Sequence, residues 1–215
     1  MTTQHVSTIN MKLKPFTTAC TTLLIYGLLL ANVLAYHAMA QDDHSHATTA
    51  QHHEATSTLS TQASALIKLV RDSTARFQDV AEAEKEGYLL QFGCVSGPDS
   101  GAMGLHYVNG SLVNGGVIDA TRPQIVIYEP TPSGALKLIG ADYLVIAQQW
   151  DSDPSHHGPP QLMGQLFHYF EAPNRFGLPA FYTLHVWAWK DNPNGAFVNW
   201  HPDVNCSAFT SADAR

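Results

Sequence analysis

Two hydrophobic patterns divide the chain at Gly87. Before it, Leu66, Leu69, Val70, Phe77, Val80, Ala81 and Ala83 form a stripe near helical period. The stripe predicts a helix from about Gln62 to Glu86, closed by Gly87 as the residue beyond its C-terminus. Ser73-Thr74 weakens the middle, so two shorter helices are the alternative. Glu82, Glu84 and Glu86 suit a solvated face, with Asp79 or Glu82 able to point inward. After Gly87 the period shortens. Runs rich in β-formers span Tyr88–Val95, Met103–Val108, Gln124–Glu129, Leu136–Ile146 and Tyr182–Lys190. Turn residues separate them: Gly97-Pro98-Asp99, Asn109-Gly110, Asn114-Gly115-Gly116, Pro130-Thr131-Pro132-Ser133-Gly134 and Asn192-Pro193-Asn194-Gly195. Most of these connections are too short for a crossover helix, which makes the sheet mainly antiparallel. The expected fold class is α+β, an N-terminal helix packed on that sheet, with residues 63–215 as a single domain. Residues 147–180 form a long Pro-rich insertion, of the kind that often edges a site.

The pattern upstream is different. Lys12 and Lys14 precede an apolar run from about Phe16 to Ala35, and Ala38-Met39-Ala40 supplies a small-x-small cleavage site before Gln41-Asp42-Asp43. Residues 1–40 are therefore expected to be a signal peptide, with Met1 or Met11 as the start and a periplasmic or secreted destination. An uncleaved anchor is the alternative, since a spanning helix needs roughly 20 apolar residues. Cys20 lies at the front of the run, not at its end, and so is no lipid-attachment cysteine. Residues 41–62 have almost no large apolar side chain and are expected to be a disordered tail. That tail carries His44, His46, His52 and His53 beside Asp42, Asp43 and Glu54, which suits either loose capture of copper, nickel or zinc or a plain solvated tether.

Charge narrows the partners. The 215-residue chain has 18 acidic and 11 basic residues, and the signal removes two of the basic ones. An acidic surface argues against nucleic acid and against anionic lipid, and no stable membrane insertion is expected after cleavage. A metal ion or small molecule is the partner compatible with it. Oligomeric state is left open. Outside the signal the cysteines are Cys94 and Cys206. In an oxidising compartment a disulfide between them is expected; a thiolate metal site is the alternative, although their spacing is not that of paired thiolate ligands.

Candidate chemistry follows from strand alternation. His106 shares a face with Gly104 and Val108, Glu129 with Ile125 and Ile127, Asp142 with Gly140 and Leu144, and His185 with Thr183, Trp187 and Trp189. Each is a lone ionisable group in an apolar or aromatic run, expensive to bury unless paired or metal-bound. Two imidazoles and a carboxylate suit Zn, Fe or Mn, with Cu a further possibility. His106, His185, Glu129 and Asp142 are thus the expected metal ligands, with His168 and His201 as extras. Strand-end exposure or ordinary hydrogen bonding are the alternatives. Trp187 and Trp189 are expected as core or as the wall of a ligand groove. His156-His157 suits an exposed turn.

No phosphate-binding Gly-rich loop, nucleophile elbow, dinucleotide fingerprint or haem-attachment motif is present, so no nucleotide cofactor is expected. The segments STARFQDVAEAEKEGY, GAMGLHYVN, PQIVIYEP, LKLIGADYLV and LHVWAWKDNPNGAFVNWHPDVNC resemble a group of exported bacterial proteins without an assigned activity. The resemblance runs from about Ser73 to Cys206. It implies export, a single domain and interest in His106 and His185, and it implies no reaction. Three functional readings follow: a metal-binding exported domain, a non-catalytic ligand-binding module with an aromatic groove, and a structural envelope protein.

Overall fold

A computed structural model describes residues 45–210, with the side chains of Thr58 and of Ser60 onward. The expected signal peptide and the tail residues up to His44 lie outside the described residues. Helix α1 spans Ser45–Thr74. It starts well before Gln62, so the segment from His46 to Glu54, expected to be irregular, is helical. Its apolar face begins further along, at Leu66 and Val70, which are fully buried. The helix ends where Ser73-Thr74 weakens the pattern: the Thr74 hydroxyl donates back to the Val70 carbonyl at 2.6 Å, the local competition that makes β-branched hydroxyl residues poor in helix interiors. A 3₁₀ turn, Ala75–Gln78, and a short helix α2, Val80–Lys85, follow. Asp79 caps α2 by accepting from the Ala81 amide at 3.0 Å, and Glu82 turns outward to Lys85. Neither acid points inward. Gly87, with φ of 89°, occupies the left-handed turn after the helix.

The main strands are β1 (Tyr88–Gly97), β2 (Gly101–Asn109), β3 (Ile125–Pro130) and β4 (Leu136–Ile146), with the short helix α3 (Gly110–Gly115) between β2 and β3. The insertion after β4 holds α4 (Ala147–Asp151), a small hairpin β5 (Gln161–Leu162) and β6 (Gln165–Leu166), and strand β7 (His168–Phe170). Strand β8 (Phe181–Val186) ends four residues before the predicted boundary. The order is β1-β2-β3-β4-β8-β7, and every pair is antiparallel. The α+β class with an N-terminal helix on this sheet is thus as the pattern predicts. The described residues from His46 onward belong to one compact unit. None of the described helices is long and apolar enough to cross a membrane.

Alternation gives the sheet two faces with different covers. On one, Tyr143, Val145, Leu184 and Val186 pack under Leu66 and Val70, while Tyr88, Leu105, Tyr107, Val126 and Tyr128 pack under Phe77 and Ala83. The Tyr128 hydroxyl donates to the Phe77 carbonyl at 2.7 Å and pins the 3₁₀ turn to the sheet. On the other face Ile125, Ile127, Leu144 and Phe181 meet Phe170, Phe176 and Leu178 of the insertion and Trp187, Val204 and Cys206 of the C-terminal segment. This second face carries the ionisable residues.

The predicted disulfide is present: Cys94 and Cys206 are joined with their Cα atoms 5.6 Å apart. It closes a loop of 112 residues and ties β1 to the segment that covers the second face. Replacing both cysteines with serine should lower the unfolding free energy by about 4 kcal/mol on the chain-entropy model. Urea melts of the two forms measure this; equal midpoints would show that the bond restrains nothing the rest of the fold does not already hold.

Candidate metal centre

Three strands deliver the site. Asp142 on β4 and His185 on β8 are direct cross-strand partners, so their side chains leave the same face side by side. His106 on β2 is opposite Ile127 of β3, which is opposite Gly140 of β4. The imidazole therefore reaches across β3 toward Asp142, two residues beyond Gly140. Gly140 has no room for a side chain there, since a Cβ would fall 2.6 Å from the Val186 carbonyl oxygen.

Among the described residues, His106, Asp142 and His185 form a cluster whose ligand atoms all lie within 4.8 Å of one another. All three are buried, at 5 %, 2 % and 3 % exposure. A tetrahedral ion with ligand bonds of about 2.0–2.2 Å spaces its ligand atoms about 3.3–3.6 Å apart. His185 Nδ1 is 3.6 Å from Asp142 Oδ1, too far for a hydrogen bond and suited to two ligands of one ion.

Hydrogen bonding prepares two of the three groups. Among the described residues the only partner of His106 Nδ1 is the Gly104 carbonyl oxygen at 3.2 Å. A carbonyl only accepts, so the proton sits on Nδ1 and Nε2 carries the free lone pair. Gly104 has φ of 92°, and a Cβ there would meet the Tyr128 carbonyl oxygen at 2.5 Å, so only glycine turns its carbonyl to this ring. The Thr183 hydroxyl donates to Asp142 Oδ1 at 2.5 Å and fixes the carboxylate. His185 is left out: neither ring nitrogen has a hydrogen-bond partner among the described residues. Asn199 Oδ1, also buried and unpartnered, opposes the ring's loss of basicity but stands outside hydrogen-bond geometry. Each such orphan costs about 1–3 kcal/mol.

Burial sets the protonation states. It lowers the pKa of His106 to about 4, helped by His185, and that of His185 to about 3, helped by His168. Burial raises Asp142 to about 6, against the pull of Thr183 and His106. At neutral pH the set is two free imidazoles and one carboxylate, the forms that bind a metal.

A small pocket of about 30 Å³ opens beside the three groups, and apart from them and Thr183 its walls are apolar, with Phe92, Phe170, Phe176 and Phe181 prominent. Phe170 and Phe181 stack at 5.0 Å, and Phe176 meets Phe92 edge-on at 5.4 Å. Asn174 shapes the turn that carries Phe176, accepting from the Phe176 and Leu178 amides and donating to the Leu178 carbonyl. Phe92 comes from a bulge: Gln91 pairs with His106 and Cys94 with Leu105, so Phe92 and Gly93 are extra residues on β1. Phe92 has φ of 65°, a strained conformation for a bulky residue, and nothing in its sequence neighbourhood announced it.

Other expected ligands go elsewhere. Glu129 does share the face, but it lies beyond Ile127 and pairs with Lys190 at 2.7 Å. His201 is fully buried with both nitrogens engaged, Nε2 with the Asp191 carbonyl and Nδ1 accepting from the Asp203 amide. His168 sits opposite Thr183 on the edge strand, exposed and outside the cluster. Trp187 is core, 2 % exposed, and donates to the Val198 carbonyl. Trp189 points to the helix side, donating to Thr74 at 3.0 Å. The two tryptophans thus pack in different clusters, Trp187 with the second face and Trp189 on the helix side, because the strand ends at Val186 and alternation ends with it.

Comparison with protein-family models, curated proteins and solved structures gives no match. The geometry therefore carries the functional reading by itself.

The same shifts predict how the metal-free protein responds to pH. Between about pH 4 and 6.5 the imidazoles are protonated in the unfolded chain and neutral in the fold, so acidification removes stability. Asp142 acts oppositely: from about pH 4 to 6 the fold keeps a proton that the unfolded chain has lost, so its contribution falls as pH rises. Two imidazoles outweigh one carboxyl, and stability should drop by about 1.4 kcal/mol per pH unit on acidification through this window. Asp142→Asn should steepen the slope toward two protons and raise metal-free stability at pH 7 by about 1–3 kcal/mol. Urea melts from pH 4 to 8 in chelator check both; a destabilised Asn variant with an unchanged slope would contradict them.

Proposed function

We propose that the protein binds one divalent transition metal per chain through His106 Nε2, the Asp142 carboxylate and a ring nitrogen of His185. The observation that carries this reading is the unpartnered His185 imidazole beside a buried carboxylate it does not hydrogen-bond. Without an ion the arrangement wastes hydrogen-bonding capacity on both sides. With one, the three groups satisfy their charge and lone pairs together. A donor set of two imidazoles and one carboxylate, with no thiolate, suits Zn(II), Fe(II) or Mn(II) better than Cu(I).

The chain's own groups do the positioning. Gly104 sets the His106 tautomer, Thr183 holds Asp142, and the phenylalanine wall excludes bulk water. An ion held by three protein groups keeps open coordination positions and supplies Lewis acidity at the base of an apolar pocket. We place this binding outside the cytoplasm. A cystine joining β1 to the C-terminal segment suits an oxidising compartment, as do the signal-like leader and the resemblance to exported bacterial proteins.

Metal analysis of the purified protein tests the proposal. About one equivalent of metal is expected. It should persist when His44, His46, His52 and His53 are all changed to alanine, and disappear in His185→Ala. Saturating metal at about 1,000 times Kd should add roughly 4 kcal/mol to stability, reversed by chelator. Metal that follows the four upstream histidines and ignores His185 would overturn it.

A further inference from the structure

The pocket beside the cluster does not end at the phenylalanines. A second, wider groove of about 350 Å³ runs along the outer side of β1, β2 and β4. Phe92, Ile125, Leu144 and Leu178 belong to the walls of both. The groove adds Leu89, Val113 and Ile146, and Leu89 and Phe92 are 58 % and 45 % exposed, large for apolar residues with no stated cover. The groove's lining side chains are mainly apolar, Gln91 and Asn114 being the polar exceptions, and Phe92 borders both spaces.

Charge specifies the other end of a ligand. A divalent ion on two neutral imidazoles and one carboxylate keeps one net positive charge. No other acid and no lysine or arginine lines the pocket. In buried apolar surroundings that residual charge favours a single anionic donor and disfavours both a cation and a dianion. Outside, Arg175 lies 5.9 Å from the Phe176 ring and from the Trp200 ring, and it makes no ion pair among the described residues. A positive charge on the outer side of the phenylalanine wall attracts the same kind of ligand.

We propose that the site takes a small monoanion with an apolar body, a carboxylate or phenolate whose charged oxygen meets the metal and whose hydrocarbon part lies between Phe92, Phe176 and Phe181. This rests on the metal-binding reading above and deepens it. Phe92 and Phe176 are the moving parts. They touch only edge-on, and Phe92 sits on a bulge at a backbone angle that favours glycine, so a small rotation of the bulge opens the wall. The apolar body then replaces the Phe92–Phe176 contact as cover for the cluster.

The test uses the full chain loaded with Co(II), whose visible spectrum reports ligands entering the coordination shell. Metal content is measured on every sample. Four probes are titrated: 3-phenylpropionate, acetate, 3-phenylpropionamide and phenethylammonium. We expect 3-phenylpropionate to change the spectrum with a Kd at least about tenfold below that of acetate, from burial of the phenylethyl group. The neutral amide and the cation should leave the spectrum unchanged. Phe92→Gly suits the local backbone and so should fold; it should weaken 3-phenylpropionate about tenfold and leave the acetate response in place. Equal affinities for acetate and 3-phenylpropionate, a response to the amide or cation, or no response in a chain carrying one equivalent of Co(II) would each overturn this inference alone. A chain that takes up no stoichiometric metal would overturn it together with the proposed function.

Discussion

An acid and two imidazoles buried on an apolar sheet face are the constraint around which the second face is arranged. Burial holds Asp142 at a pKa of about 6 and the two histidines at about 4 and 3. Each shift records a free-energy cost of keeping the group where it is, since the ordinary form of each would rather be in water. Thr183 and Gly104 recover part of that cost for Asp142 and His106. For His185, Asn199 opposes the loss of basicity only from outside hydrogen-bond geometry, and neither ring nitrogen has a hydrogen-bond partner among the described residues. A fold that needed only hydrophobic packing at these positions would be more stable with leucine or valine there, in keeping with the apolar or aromatic residues that flank each site: Leu105 and Tyr107, Ala141 and Tyr143, Leu184 and Val186. The polar trio is thus a local departure from the packing rule that the rest of the sheet obeys, and such departures concentrate where a protein binds something.

The cover on this face follows from the same constraint. The insertion contributes Phe170, Phe176 and Leu178, the bulge on β1 contributes Phe92, and the disulfide fixes the C-terminal segment beside them. The opposite face is closed by α1, the 3₁₀ turn and α2 with ordinary core residues. Its polar groups are resolved locally: Tyr128 by the Phe77 carbonyl, Tyr88 by the Pro123 carbonyl and Trp189 by Thr74. One face holds the fold together, and the other holds a pocket. Dividing the work this way leaves the pocket side free to carry a strained residue such as Phe92 without weakening the main core.

Much of this was legible from the chain alone, for definable reasons. Period-two alternation marked His106, Asp142 and His185 as lone ionisable groups among apolar neighbours on their own strands, but their convergence on one face depends on register, which the chain alone does not give. Cross-strand pairing of Asp142 with His185 then brought two of them together. Glu129 obeyed the same alternation, but its distance along β3 and its partner Lys190 depend on register and on the path of the chain after β8, which no local pattern encodes. The tryptophans diverged because β8 ends at Val186: the Trp187 amide bonds to Ala196 and the Trp189 amide to Ile139, so parity no longer applied. The bulge at Phe92-Gly93 was invisible, since Leu90-Gln91-Phe92-Gly93-Cys94 reads as an ordinary strand with one glycine. Strand β7 was hidden in the insertion, because three residues are too few to show a period. The start of α1 was missed because polar, Ala- and Thr-rich sequence has no stripe to mark it.

The central claim is that one ion sits between His106, Asp142 and His185. An anomalous difference map from crystals of the metal-loaded protein, recorded at the absorption edge of that metal, tests it most directly. The account predicts a single strong peak about 2.0–2.2 Å from His106 Nε2, an Asp142 oxygen and a His185 nitrogen. A map with no peak there, with His185 instead hydrogen-bonded to Asn199 or Asp142 and the metal elsewhere, would contradict it.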